Sequence, residues 1–293
     1  MAINIKAIKS RIKSVKNTKK ITRAMEMVSA VKMRKAVEAT LHARDFAVQA
    51  KELLQRLSGL EEAESIFLEK RDVSNVLMIV VSSNRGLCGS FNSNVIKKAN
   101  SLLSEIKTKS NNKNLKVDVL SVGKKASSFA KKNGLDLIAV YDELKENPSY
   151  ADVLPVATQA ITAFKDGTYD EVHLVYMNYI SSMVQESVSQ QVLPLDRSEI
   201  EVDNVEPIGA SLFEPSIEDI VADVIPRLIE AQIYQAVLEN SAGEHSARMV
   251  AMKSASDNAT DMIKELTLVF NKGRQAAITQ EIAEIASGAA ALE

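Results

Sequence analysis

The chain has 293 residues, enough for two average domains or for one domain with long helical extensions. Hydrophobic residues at 46% and charged residues at 25% describe a foldable globular chain, while 4% aromatics and no Trp suit helix–helix packing better than a large core. The lone Cys88 excludes an internal disulfide, and no apolar run reaches the length of a membrane-spanning helix. The net charge of −2 hides an asymmetry: residues 1–57 carry fourteen Lys and Arg against four Asp and Glu, so a strongly basic element stands on an acidic body.

Residues 3–57 are predicted as one helix, free of Gly and Pro and spanning roughly 80 Å at 1.5 Å per residue. Its basic start lacks the apolar core and cleavage site of a secretory signal. Ile5, Ile8, Ile12 and Val15 follow 3-4-3 spacing; Ile21, Met25 and Val28 resume the stripe after a break at Lys19 and Thr22. Ser58-Gly59 is the expected stop.

From 75 to 195 the pattern changes. Strands are expected at 76–81, 117–122, 135–141 and 172–179, with helices at 92–109, 123–133 and 149–165 between them. This alternation predicts a parallel sheet with right-handed crossovers, and 185–193 reads as an added edge strand. Residues 196–215 are acidic, hold Pro207 and Pro215, and read as a linker or foot. Ser216 with Asp219 matches a capping box that opens a helix running nearly to the carboxyl terminus. Pro226 should kink it, and Ser241-Ala242-Gly243 is a second weak point. Met249, Met252, Ser256, Ala259, Ile263, Leu266 and Phe270 then keep 3-4 spacing, the seam of a coiled coil. The expected organisation is therefore a helix at 1–58, an α/β domain at 75–195, a linker or foot at 196–215 and a helix at 216–293. The two terminal helices would pack as an antiparallel pair with the α/β domain inserted between them.

Chemistry-bearing motifs are sparse. The 82–92 loop (Ser82-Ser83-Asn84-Arg85-Gly86-Leu87-Cys88-Gly89-Ser90-Phe91-Asn92) links a strand to a helix, a place where backbone N–H groups can hold phosphate. It matches neither phosphate-binding glycine motif and offers no Lys for phosphate and no Asp for magnesium, so it reads as a tight turn. Neither a metal-ligand spacing nor a Cys–His pair occurs, and no cofactor is expected. Besides a partner-binding shaft, the residues leave open a basic coiled-coil adaptor that binds nucleic acid and a small α/β enzyme using the 82–92 loop. Against nucleic acid, no aromatic precedes Phe46, so base stacking is unavailable along the basic helix.

Two end segments carry a resemblance. One is Ile21-Thr22-Arg23-Ala24-Met25-Glu26-Met27-Val28-Ser29-Ala30-Val31-Lys32-Met33-Arg34-Lys35. The other is Ser246-Ala247-Arg248-Met249-Val250-Ala251-Met252-Lys253-Ser254-Ala255-Ser256-Asp257-Asn258-Ala259, followed by Asn271-Lys272-Gly273-Arg274-Gln275-Ala276-Ala277-Ile278-Thr279-Gln280-Glu281-Ile282. Both are similar to signature segments of the gamma subunits of F-type ATP synthases, as are the 82–92 loop and Gly288-Ala289-Ala290. The resemblance implies a fold: an antiparallel coiled coil of the two termini with a Rossmann-like α/β domain. It also implies a non-catalytic rotor inside a ring of alpha and beta subunits, standing with the epsilon subunit on a membrane ring of c subunits. Proton flow would turn it and drive ATP synthesis or hydrolysis in the ring. The implied place is peripheral, on the cytoplasmic side of the cell membrane. In that family Met25 matches a rotor–stator contact near Arg248, Gln275 and Thr279, and Arg274 with Gln275 matches a catch on a beta subunit. The two-cysteine insertion of chloroplast relatives is absent, so no thiol control is expected.

Overall fold

A computed structural model of the chain describes residues 4–58, 66–109, 115–195 and 217–290. Gly59, the 196–215 linker and the Ser216 cap lie outside the described residues. The chain divides into two compact units, residues 30–247 and residues 1–29 with 248–293.

The first unit is built on a five-stranded sheet. Its strands are β1 (Asn75–Val81), β2 (Lys116–Val122), β3 (Asp136–Tyr141), β4 (Glu171–Tyr179) and β5 (Gln185–Leu193), in the order β3-β2-β1-β4-β5. β1 lies at the centre because its run of apolar residues suits a strand covered on both faces. β1 to β4 are parallel, and β5 closes the edge antiparallel to β4, as its alternating polar pattern predicts. The crossovers carry α2 (Phe91–Lys109), α3 (Lys124–Lys132) and α4 (Tyr150–Lys165). Alternation along β1 sends Val76, Met78 and Val80 to a core shared with Phe91, Val95, Leu103 and Phe129 of α2 and α3. Leu77, Ile79 and Val81 face the opposite core, with Val156, Phe164, Ile229 and Ile233.

Helix α1 (Ile5–Ser58) begins where the Asn4 side chain accepts a hydrogen bond from Ala7 N at 3.0 Å. Helix α5 (Ile217–Ala290) is continuous through Pro226 and through Ser241, Ala242 and Gly243. The weak point expected at 241–243 is instead a place of close packing. Ala242 is fully buried, and a Cβ on Gly243 would stand 3.1 Å from Met177 Cγ and 3.3 Å from Phe91 Cε2. Small residues there let the helix backbone approach β4 and α2.

In the second unit, residues 5–29 of α1 and 248–290 of α5 form an antiparallel coiled coil. On α5 the partly or fully covered positions include Met249, Met252, Ser256, Ala259, Ile263, Leu266, Phe270, Gly273 and Ala277, an unbroken 3-4 alternation. From Ile278 to Ser287 every side chain is exposed. On α1 the seam does not break at Lys19 and Thr22. The covered row runs Ile5, Ile8, Ile12, Val15, Lys19, Thr22, Glu26 and Ser29, joined by Met25. Thr22 and Ser29 are buried, while Ile21 and Val28, expected on the stripe, are 60% and 53% exposed. Counting onward from Val15 at 3-4 spacing lands on Thr22 and Ser29. Their small size permits close helix approach, and Thr22 Oγ1 is satisfied by Lys19 O at 3.1 Å.

Candidate functional site

The 82–92 loop sits at the carboxyl end of β1, where open α/β sheets bind ligands. The side chains of Ser82, Ser83, Asn84 and Asn92 are bonded within the fold. Ser83 Oγ donates to Arg85 O at 2.6 Å and accepts from Asn92 Nδ2 at 2.8 Å, and Ser83 N donates to Asn92 Oδ1 at 3.2 Å. Ser82 Oγ accepts from Ala126 N at 2.8 Å and Asn84 Oδ1 from Lys124 N at 3.0 Å, so the first turn of α3 is already capped. Asn84 Nδ2 ties the loop to Asp142 O at 2.8 Å. The adjoining cleft, about 370 Å³, gathers Asp142, Glu143, Glu146 and Glu244 around Arg85, Lys124 and Lys145. Its carboxylates outnumber its cations, the wrong balance for phosphate. Glu146 pairs with Lys32 of α1 and with Arg85 at 3.5 Å; the Lys32 ammonium holds its carboxyl below the usual carboxylate range. The loop is the tight turn from β1 to α2 that its residues suggest, and the structure adds a tie to α1 through Glu146, which Arg85 and Lys32 share.

The coiled-coil unit has the opposite character. Two helices bury one seam and leave the rest of each surface open. Residues 5–29 expose Lys6, Lys9, Arg11, Lys13, Lys16, Lys20 and Arg23, with Glu26 the one acid among them, bonded to Arg23 at 2.8 Å. Between the cations stand Ile21, Met27 and Val28, each more than half exposed. On α5 the open apolar side chains are Val250, Met262, Leu268, Val269, Ile278, Ile282 and Ile285. The last three recur at i, i+4 and i+7, one face of a helix left uncovered by the described residues. Side chains of this kind, on so thin a body, form a surface for other proteins.

The five residues expected at a rotor–stator contact all belong to this unit. Met25 is half-covered beside the seam, and Arg248 is buried at 8% exposure. Arg274, Gln275 and Thr279 are exposed; Thr279 Oγ1 donates to Gln275 O at 2.9 Å. Arg274, Gln275 and Thr279 lie within two turns of one another. Arg248 stands 27 residues before Gln275 on the same helix, about 40 Å at 1.5 Å per residue. Arg248 and the Arg274–Thr279 group therefore stand far apart on α5. Sequence reasoning passed over the exposed Ile278, Ile282 and Ile285 row, whose 4-3 spacing beyond the seam was the available signal.

Comparison with known proteins adds the family. The ATP synthase family profile (ATP-synt) matches residues 4–292. The ATP synthase gamma chain of Chloroflexus aurantiacus is 43% identical over 290 residues, covering 97% of both chains. That of Xanthomonas axonopodis is 42% identical over 287 residues, covering 97% of this chain and 98% of its own. Among solved structures, a chain of the central stalk and c-ring of the Tetrahymena thermophila mitochondrial ATP synthase aligns with a TM-score of 0.59 at 25% identity, covering 80% of this chain and 99% of its own. A chain of the Euglena gracilis mitochondrial enzyme shares the fold with a TM-score of 0.67 at 22% identity, covering 98% and 94%.

Proposed function

Because the chain belongs to the ATP synthase gamma-chain family, we propose that it is the central rotor shaft of an ATP synthase. The coiled coil turns inside the ring of alternating alpha and beta subunits. The epsilon subunit and the membrane ring of c subunits are its companions at the base. The shaft catalyses nothing itself. Its asymmetry carries the catalytic beta subunits through successive conformations, so that transmembrane proton flow becomes ATP synthesis, or hydrolysis becomes pumping. The observation that carries this reading is the two-helix unit, whose exposed cations and apolar side chains need an enclosing partner.

Within that reading, Met25, Arg248, Gln275 and Thr279 serve rotor–stator contacts, and Arg274 with Gln275 catches a loop of a beta subunit. The chain lies peripheral to the cell membrane on its cytoplasmic side. Among the described residues no helix is long and apolar enough to cross a membrane, so attachment runs through other subunits. The nucleic-acid adaptor finds no support among relatives named as ATP synthase gamma chains.

A pair of disulfides tests the assignment. With Cys88 replaced by Ser, one cysteine at Arg274 is set opposite one on a beta subunit in the assembled complex. Oxidation should stop turnover and reduction restore it. A second disulfide, joining α1 to α5 where their Cα atoms lie about 5.5–6 Å apart, should leave turnover largely intact, because the helices move together. Continued hydrolysis coupled to pumping, with the shaft quantitatively tied to beta, would reject the rotor.

A further inference from the structure

Helices α2 and α3 cover one face of the sheet, and their outward side is a field of lysines. Together they hold eight Lys, a single acid at Glu105 and no Arg. Seven of the eight lysines are exposed, and among the described residues none of the eight forms an ion pair. The apolar residues of both helices, including Phe91 and Phe129, are turned into the core. The opposite layer differs in sign: residues 217–247 of α5 carry six Asp and Glu against Arg227 alone. Eight of the unit's lysines thus share one layer of the sheet.

A surface of unpaired lysines suits a diffuse anionic partner. Lysine is a compact, hydrated point charge without the fork that reads a fixed phosphate or carboxylate geometry. With both phenylalanines buried, no aromatic is available to stack on nucleic-acid bases. We propose that the outer face of the α2–α3 layer is held electrostatically over the anionic phospholipid headgroups of the membrane that carries the complex. The proposal rests on the rotor reading in one respect: a rotor's contact must not depend on angle. A fixed acidic patch would attract the lysines at one angle and stall the shaft there. A fluid headgroup surface attracts them equally at every angle and exerts no torque. The attraction acts within a Debye length, about 8 Å at physiological ionic strength.

The test uses the water-soluble assembly of this chain with its alpha, beta and epsilon subunits, in which the basic start of α1 is enclosed. Flotation is measured with phosphatidylcholine vesicles and with vesicles containing phosphatidylglycerol. The assembly should bind only the anionic vesicles, and salt should release it. Replacing Lys97, Lys107, Lys131 and Lys132 together by Gln should lower the affinity at least tenfold, since each lysine near an anionic surface strengthens binding roughly fivefold. The same four positions changed to Arg should retain binding, which separates charge from folding damage. ATP hydrolysis should be unchanged in both variants. Equal flotation with both vesicle types would overturn the proposal, as would a Gln variant that binds like the parent. A Gln variant that sheds the epsilon subunit would also overturn it and give the face to that protein. None of these results bears on rotation, which the disulfide pair tests separately.

Discussion

Gly123 shows how one residue sets the carboxyl edge of the sheet. It follows β2 with φ at 91°, in the region that disfavours side chains, and a Cβ there would stand 2.6 Å from Ser82 O. Gly123→Ala should therefore cost about 1–3 kcal/mol, read from the urea midpoint of the purified chain. A loss under roughly 0.5 kcal/mol would mean that the turn relaxes freely. Asp152 is a second case. Its carboxylate accepts from Ser149 N at 2.8 Å, from Ser149 Oγ at 2.7 Å and from Lys145 Nζ at 3.0 Å, opening α4. These bonds, led by the Ser149 hydroxyl, bring its pKa from 3.8 down to about 2. A depressed folded pKa adds stability that is complete above the unfolded value and lost as pH falls through the folded one. The Asp152 cap should thus hold above pH 3.8 and fail toward pH 2. A carboxyl NMR titration should give a midpoint near the lower value, and Ser149→Ala should move it upward. A midpoint that Ser149→Ala leaves in place would remove the hydroxyl from the cap.

At the scale of elements, the seam of the coiled coil is decided by register rather than by hydrophobicity. Ser29 is 3% exposed while Ile21, a far more apolar residue, is 60% exposed. Ser29→Leu should overpack the interface and cost about 1–3 kcal/mol, whereas Ile21→Ala should stay within about 0.5 kcal/mol. Leu266 is half-covered rather than buried, so Leu266→Ala should fall below the roughly 2–5 kcal/mol of a fully buried leucine. Helical circular dichroism against denaturant orders the three. A larger loss for Ile21→Ala than for Ser29→Leu would show that the helices pair in another register. The same logic explains why Ile21 looks like a stripe residue in the sequence: the next apolar residues after Val15 suggest it, while the geometric row passes through Thr22.

The whole molecule couples a cationic helix to partners that must let it turn. Replacing Lys9, Arg11, Lys13 and Arg23 by Gln should weaken association with the alpha and beta ring. The deficit should shrink at high salt, where the attraction of the parent chain is screened as well. Assembly measured by co-purification across a salt series checks this. A deficit that does not change with salt would assign these residues to packing. Steady, salt-tolerant assembly of the variant would leave the charge asymmetry without a role in the ring.

Local pattern alone determined much of this protein. The continuous apolar run of β1, the alternation of strands with helices and the 3-4 row from Met249 to Phe270 each reflect a period that the backbone imposes, so each is readable from spacing. The charge asymmetry of residues 1–57 was equally plain. Tertiary structure decided what depends on neighbours distant in sequence. Gly243 reads as a helix breaker until Met177 and Phe91 are seen within 3.1 and 3.3 Å of its missing Cβ. The 82–92 loop reads as a tight turn from its residues, but only the fold shows that Asn92 bonds Ser83 and that Ser82 and Asn84 cap α3. Thr22 reads as a break in the stripe until it is seen to be buried within the seam. In each case burial is a property of two segments at once, and the period of one segment cannot report what the other brings to it.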